Sequence, residues 1–142
     1  MNIYFSCSIT GGRNEETTYQ AIVKDMLGHG HEIPTAHLAS SEVTQADREI
    51  QPKDIYIRDM NWLENCDAVV AEVTTPSHGV GYEIATALFF KKPVLCCFKK
   101  GVKISAIILG NLNPQLKIRS YSNDQEVLTI VRDFLATINI RD

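Results

Sequence analysis

Between Thr74 and Glu83 the chain reads Thr-Thr-Pro-Ser-His-Gly-Val-Gly-Tyr-Glu, which sets a carboxylate just beyond a serine and two glycines. An apolar run, Ala68 to Val73, precedes this segment, and the apolar Ile84 to Phe90 follows it. The pattern is that of a strand turning into a helix. Gly79 and Gly81 let the backbone approach a ligand closely, and Ser77 offers a hydroxyl near the helix start, so the turn suits a phosphate. Glu83, expected in the first helical turn, then has two readings. It complements the helix dipole, or it serves as an attacking carboxylate. The glycine spacing is not a full dinucleotide fingerprint, and it follows the third expected strand rather than the first, which counts against a redox Rossmann enzyme.

A second carboxylate stands out at Asp59. Ile55, Asp59, Trp62 and Cys66 share one face of an expected helix, so an acid interrupts an otherwise apolar stripe. Desolvation there would raise its pKa, as a general acid requires. The alternative is an acid at the stripe's edge, paired with Arg58 or a backbone amide. If Glu83 and Asp59 reach one cleft, one attacks while the other protonates a leaving group, the division of labour of retaining glycoside hydrolysis. Tyr4 lies inside the first expected strand, either as a core aromatic with its hydroxyl at the rim or facing that cleft. Ser8, Gly11, Gly12 and Arg13 form a second candidate anion cradle or an ordinary turn. His37 and His78 are loop histidines, candidates for chemistry or plain surface residues. No Ser/His/Asp order or metal-binding motif is present.

The elements that must position these residues alternate. Strands are expected at Asn2 to Cys7, His31 to Pro34, Ala68 to Val73, Val94 to Phe98 and Lys117 to Tyr121. Helices are expected at Glu16 to Leu27 (closed by Gly28 and Gly30), Asp54 to Asn65, Gly81 to Phe90, Val102 to Gly110 and Asp124 to Ile138. This is an α/β pattern: a single-domain, doubly wound, flavodoxin/Rossmann-like five-stranded parallel sheet with helices on both faces. A flavodoxin-like order makes the first and third strands neighbours at the switch point, where ligands bind beyond the strand carboxyl ends. That rule selects two loops, Ser8 to Arg13 and Thr74 to Gly81. The polar stretch from Ala39 to Lys53 reads as a long loop or a mobile lid.

Bulk properties set the class. The 142 residues fit one domain, residues 1–142, and the 44% hydrophobic and 22% charged fractions are ordinary for a globular protein. A net charge of -3 speaks against a nonspecific nucleic-acid binder, which presents a basic face. Cys7, Cys66, Cys96 and Cys97 lack metal-ligand spacing and read as buried free thiols in a reducing compartment. Met1 to Phe5 lacks the features of a signal peptide, and no apolar run is long enough to span a bilayer. A cytoplasmic location is expected, or a nuclear one in a eukaryote, with no membrane or nucleic-acid partner.

Taken together, the motifs resemble the nucleoside 2-deoxyribosyltransferase superfamily, and within it the 2'-deoxynucleoside 5'-phosphate N-hydrolase branch. They are Tyr4-Phe5-Ser6-Cys7-Ser8-Ile9-Thr10-Gly11-Gly12-Arg13, Asp59-Met60-Asn61-Trp62-Leu63, Ala68 to Thr74, Pro76 to Glu83, and Ile104-Ser105-Ala106. The ordered set spans nearly the whole chain. The resemblance implies that Glu83 attacks the anomeric carbon to form a covalent deoxyribosyl-enzyme. It implies that Asp59 helps protonate the departing base and that Tyr4 orients Glu83 near the 2' side of the sugar. By the same resemblance Cys7, Ser8, Ile9, Gly11, Gly12 and Arg13, with Ser77 and Gly79, hold the 5'-phosphate and sugar; His37 is a further candidate for binding substrate. Ser105 reaches the phosphate from a neighbouring subunit of a homodimer. Cys7 stands where this branch often has glycine, and Thr10 where arginine is common, which bears on affinity and base preference.

The expected reaction therefore releases free base and 2-deoxyribose 5-phosphate from a 2'-deoxynucleoside 5'-monophosphate, with no metal and no organic cofactor. Alternatives are a deoxyribosyltransferase, a ribonucleotide N-hydrolase of the CMP type, and a nucleotide-binding sensor without catalysis. The helix from Gly81, apolar nearly all round at Ile84, Ala85, Ala87, Leu88, Phe89 and Phe90, is expected to be buried partly in the core and partly in the homodimer.

Overall fold

A computed structural model describes residues 1–9, 12, 14–40 and 49–139. Four strands form one parallel sheet: β1 (Ile3–Ser6), β2 (Ala68–Glu72), β3 (Val94–Lys99) and β4 (Leu116–Tyr121) in that spatial order. The helices are α1 (Glu16–Gly28), α2 (Pro52–Asn65), α3 (His78–Phe89), the short α4 (Ala106–Leu109) and α5 (Asp124–Asn139), with a 3-10 turn at Ala36–Ala39.

Alternate strand residues serve two separate cores, as the pleat requires. Ile3, Phe5, Ala68, Val70, Leu95 and Cys97 face α1 and α5, packing on Tyr19, Ile22, Val127 and Val131. Tyr4, Val69, Ala71, Val94 and Cys96 face α2 and α3, packing on Leu63, Val80, Ile84 and Ala87. Strands buried on both faces have little room for polar side chains, which is why their sequences are nearly continuous apolar runs. All four cysteines are buried.

Four strands stand where five were expected. The segment from His31 to Pro34 is reduced to a single parallel bridge, Glu32 beside Asn2. The chain then passes Pro34, which has no N–H to pair, and turns into the 3-10 helix. In place of a strand carbonyl, the Thr35 hydroxyl accepts the next free edge N–H, that of Phe5, at 2.9 Å. Pairing of Tyr4 with Val69 still makes β1 and β2 neighbours. The loops after them therefore open at the same end of the sheet.

Some boundaries also differ. The helix expected from Val102 is confined to Ala106–Leu109. α2 begins at Pro52, where a proline at the first helical position gives up only an N–H that has no partner anyway. Most of the polar stretch from Ala39 to Lys53 lies outside the described residues, while Ala39 closes the 3-10 turn and Lys53 belongs to α2. No described helix is long and apolar enough to cross a membrane.

Candidate active site

The helix that carries Glu83 starts three residues earlier than its sequence suggests. Ser77 is the N-cap, its hydroxyl accepting from the Val80 N–H at 3.3 Å, and His78 opens the helix. Glu83 consequently sits in the second turn, away from the unpaired amides that make a first-turn acid stabilising. The first-turn position expected for Glu83 is thus not the one it occupies. An ideal Cβ on Gly79 would lie 3.9 Å from both Glu83 Oε1 and Ser77 Oγ, so Gly79 leaves open space between the cap hydroxyl and the Glu83 carboxylate.

Glu83 leans onto the sheet instead. Ser6 donates from its hydroxyl to Glu83 Oε2 at 2.6 Å. Tyr4, two residues earlier and therefore on the same face of β1, has a fully buried ring whose hydroxyl makes no hydrogen bond of ordinary geometry, although it lies in reach of Glu83. Burial pushes the Glu83 carboxyl up to about 7; the Ser6 hydrogen bond opposes this, and the Asp59 charge reinforces it. The Tyr4 phenol is held far above its usual range by burial and then by the charges of Glu83 and Asp59, so it remains a donor.

Asp59 reaches this cleft from α2. Its partner is Arg58, whose Nε lies 2.8 Å from Asp59 Oδ1, in line with the edge-acid reading. The Arg58 guanidinium carbon sits 4.8 Å from the centre of the Trp62 ring, a cation–π contact. Trp62 in turn meets His37 edge-to-face at 5.9 Å. A continuous wall thus runs from His37 on the 3-10 turn through Trp62 and Arg58 to Asp59. His37, far from the others in sequence, enters the neighbourhood only through this packing.

The remaining candidates are dispersed. Ser8 is fully buried and its hydroxyl makes no hydrogen bond. Gly12 takes a positive φ of 120°, which favours glycine, and its Cβ position faces the Thr75 methyl at 3.6 Å. Gly12 and Thr75 therefore lie close together. Cys7 and Ile9 pack into the core under α1, and the Cys7 thiol contacts the Leu38 carbonyl, so their side chains point away from Glu83. Gly11 and Arg13 lie outside the described residues. Ser105, exposed at the start of α4, lines with Ser77, His78 and Lys103 a cavity of about 550 Å³ whose other wall is α3.

Ser6 was not among the residues singled out from the sequence. The signal was available, because a residue two places from Tyr4 in a strand shares its face. Among the described residues, no group of three His, Cys, Asp or Glu side chains is arranged to hold a metal ion.

A parallel α/β sheet with a carboxylate and a capped glycine turn at its carboxyl end defines a class of small-ligand enzymes rather than one activity. The family model of the nucleoside 2-deoxyribosyltransferases matches residues 3–127, and the chain belongs to that family. It is 38% identical over 142 residues to the 5-hydroxymethyl-dUMP N-hydrolase of Danio rerio, covering 97% of this chain and 98% of that one. It is 39% identical over 137 residues to a Methanosarcina mazei protein with the provisional name 2'-deoxynucleoside 5'-phosphate N-hydrolase 1, covering 96% of this chain and 85% of the other. Among solved structures, the Clostridium botulinum CMP N-glycosidase superposes with a TM-score of 0.69 at 15% identity, over 93% of this chain and 99% of that one, a likeness of fold.

Proposed function

We propose that the chain is a single-domain N-glycosidase that hydrolyses 2'-deoxynucleoside 5'-monophosphates. The observation that carries this reading is the Glu83 carboxylate, held by Ser6 and buried beside Tyr4 and Asp59. Relatives named as N-hydrolases of such nucleotides support the substrate class.

The carboxylate of Glu83 attacks the anomeric carbon as the bond to the base nitrogen breaks. The bonding pair leaves with the base, which takes a proton delivered through Asp59. Without an electron-withdrawing 2'-hydroxyl the oxocarbenium-like transition state is easier to reach, and the glutamyl ester follows. Water then attacks the same carbon, yields its proton to Asp59 and frees Glu83, leaving 2-deoxyribose 5-phosphate. Arg58, whose Nε lies 2.8 Å from Asp59 Oδ1, holds that carboxyl in place for the transfer. The Tyr4 hydroxyl orients Glu83. Ser77, Gly79, His37 and the loop from Cys7 to Arg13 bind substrate, the serine cap holding the phosphate, whose remote binding energy orients the reacting end.

A homodimer completes the site by bringing Ser105 from the second copy. Supporting this, Tyr82, Phe89, Ile107 and Leu112 are all exposed on α3 and around α4, Phe89 at 82% and Leu112 at 93%.

Incubation with deoxyribonucleoside and ribonucleoside monophosphates, reading free base, tests the substrate. We expect turnover of the deoxy series and a loss on the order of 10³-fold or more in Glu83→Ala. Unchanged base release in that variant would sink the mechanism. A new nucleoside or nucleotide formed with an added second base would instead favour transfer, the reaction named in the family's description.

A further inference from the structure

Glu72 is the last residue of β2 and has no exposed surface. It shares the parity of Ala68 and Val70, so its side chain enters the core under α1 and α5, on the opposite face of the sheet from Glu83. A carboxyl buried there costs stability unless its oxygens are satisfied. One of them is. Glu72 Oε1 accepts from the Tyr121 hydroxyl at 3.0 Å, from the Thr74 hydroxyl, and more weakly from the Thr74 N–H at 3.4 Å.

Thr74 is the hinge of this arrangement. The β2–β3 ladder ends with the Val73 N–H donating to the Cys97 carbonyl at 2.8 Å. The next free β3 amide, Lys99 N–H, donates not to a carbonyl but to the Thr74 hydroxyl oxygen at 2.9 Å. That hydroxyl has one proton, which goes to Glu72. The departure of the chain from the sheet, into the turn that ends at the Ser77 cap, is therefore set by a relay from Lys99 through Thr74 to Glu72.

Two described residues between β1 and α1 also lie at this cluster. Glu15, just before α1, pairs with the Lys99 ammonium, and Gly12 faces Thr75. Burial raises the Glu72 pKa, and the Glu15 charge adds to it.

We propose that Glu72 is a positioning residue for the reaction, holding through Thr74 the turn that carries Ser77 and opens the helix of Glu83. It touches no substrate. The inference rests on the functional reading above for its effect on turnover, but the contact itself can be read without substrate.

Hydrogen exchange of the Lys99 amide, and of amides from Thr74 to Val80, measures the relay in the full chain. We expect Glu72→Ala to speed exchange of the Lys99 amide by at least about tenfold and to raise KM for a deoxynucleotide by a similar factor, with kcat changed less. Glu72→Gln keeps an accepting oxygen and should restore both to within about threefold. Thr74→Val removes the relay with the carboxyl left in place, and should match Glu72→Ala even if that variant folds poorly. Exchange within twofold of the native chain in both Glu72→Ala and Thr74→Val overturns the proposal. So does a Gln variant as impaired as the Ala variant. Should the native chain release no base from any deoxynucleotide, the functional reading fails while the exchange rates still decide the role of Glu72.

Discussion

Glu83 sits between opposing influences that can be separated at the residue scale. Burial drives its pKa up from 4.5 to about 7, and the Ser6 hydroxyl pulls it down by favouring the ionised form. An attacking carboxylate must be ionised, so kcat/KM should fall about tenfold per pH unit below pH 7 as Glu83 takes up its proton. Ser6→Ala removes the opposing hydrogen bond, and initial-rate profiles should show this acid limb displaced to higher pH. The same shift has a stability consequence. Because the folded pKa is raised, the folded state binds the proton more tightly. The resulting stabilisation is full below pH 4.5 and is lost as pH rises through about 7. Glu83→Gln, which stays neutral, should abolish that slope and leave the variant more stable than the native chain at pH 8. The gain has an upper bound of about 3 kcal/mol, measurable by chemical denaturation at several pH values.

At the scale of elements, the start of α3 decides what its side chains can do. With Ser77 as cap, Glu83 turns toward β1, and Gly79 keeps the first turn open beside it. Ser77→Ala should cost about 1 kcal/mol in thermal or denaturant unfolding through loss of the cap. If the cap also holds the phosphate, KM for a monophosphate should rise in that variant, while cleavage of the corresponding deoxynucleoside is affected less. Sequence placed the helix start at Gly81, because two glycines look like a turn. Ser77 followed three residues later by Val80 carries no Glu or Gln to complete a capping box, so the earlier start had no strong local mark.

For the whole molecule, the exposed apolar residues point outward from α2, α3 and the region of α4. Tyr56 and Tyr82 meet edge-to-face at 6.5 Å on this surface, and Phe89 and Leu112 project nearly unburied. Charged residues there should disfavour self-association by desolvation. We expect the native chain to sediment as a dimer and a Phe89→Glu, Leu112→Glu variant as a monomer. Loss of activity in that monomer, with the fold intact by circular dichroism, would indicate a site completed by the second copy.

Much of this fold was legible because buried parallel strands and amphipathic helices leave periodic patterns in a single chain. Ala68 to Val73, Val94 to Phe98 and four of the five helices were read in that way, the helix expected from Val102 being confined to Ala106–Leu109. The adjacency of the first and third expected strands followed from the flavodoxin-like order. The strand expected at His31 to Pro34 was not so decided. Whether it pairs depends on Thr35, whose side chain replaces the ladder only once β1 is in place. The candidate site divides along the same line. Sequence by itself supplied Glu83, Asp59 and Tyr4 as residues with chemistry to offer, and family motifs gave each an expected part. Only the tertiary structure decided that Ser6 holds Glu83, that Asp59 pairs with Arg58, and that His37 closes on Trp62. Arg58 and Asp59 are neighbours whose pairing the sequence had left open. The Ser6–Glu83 and His37–Trp62 contacts join residues distant in the chain, and packing rather than local pattern selects such pairs.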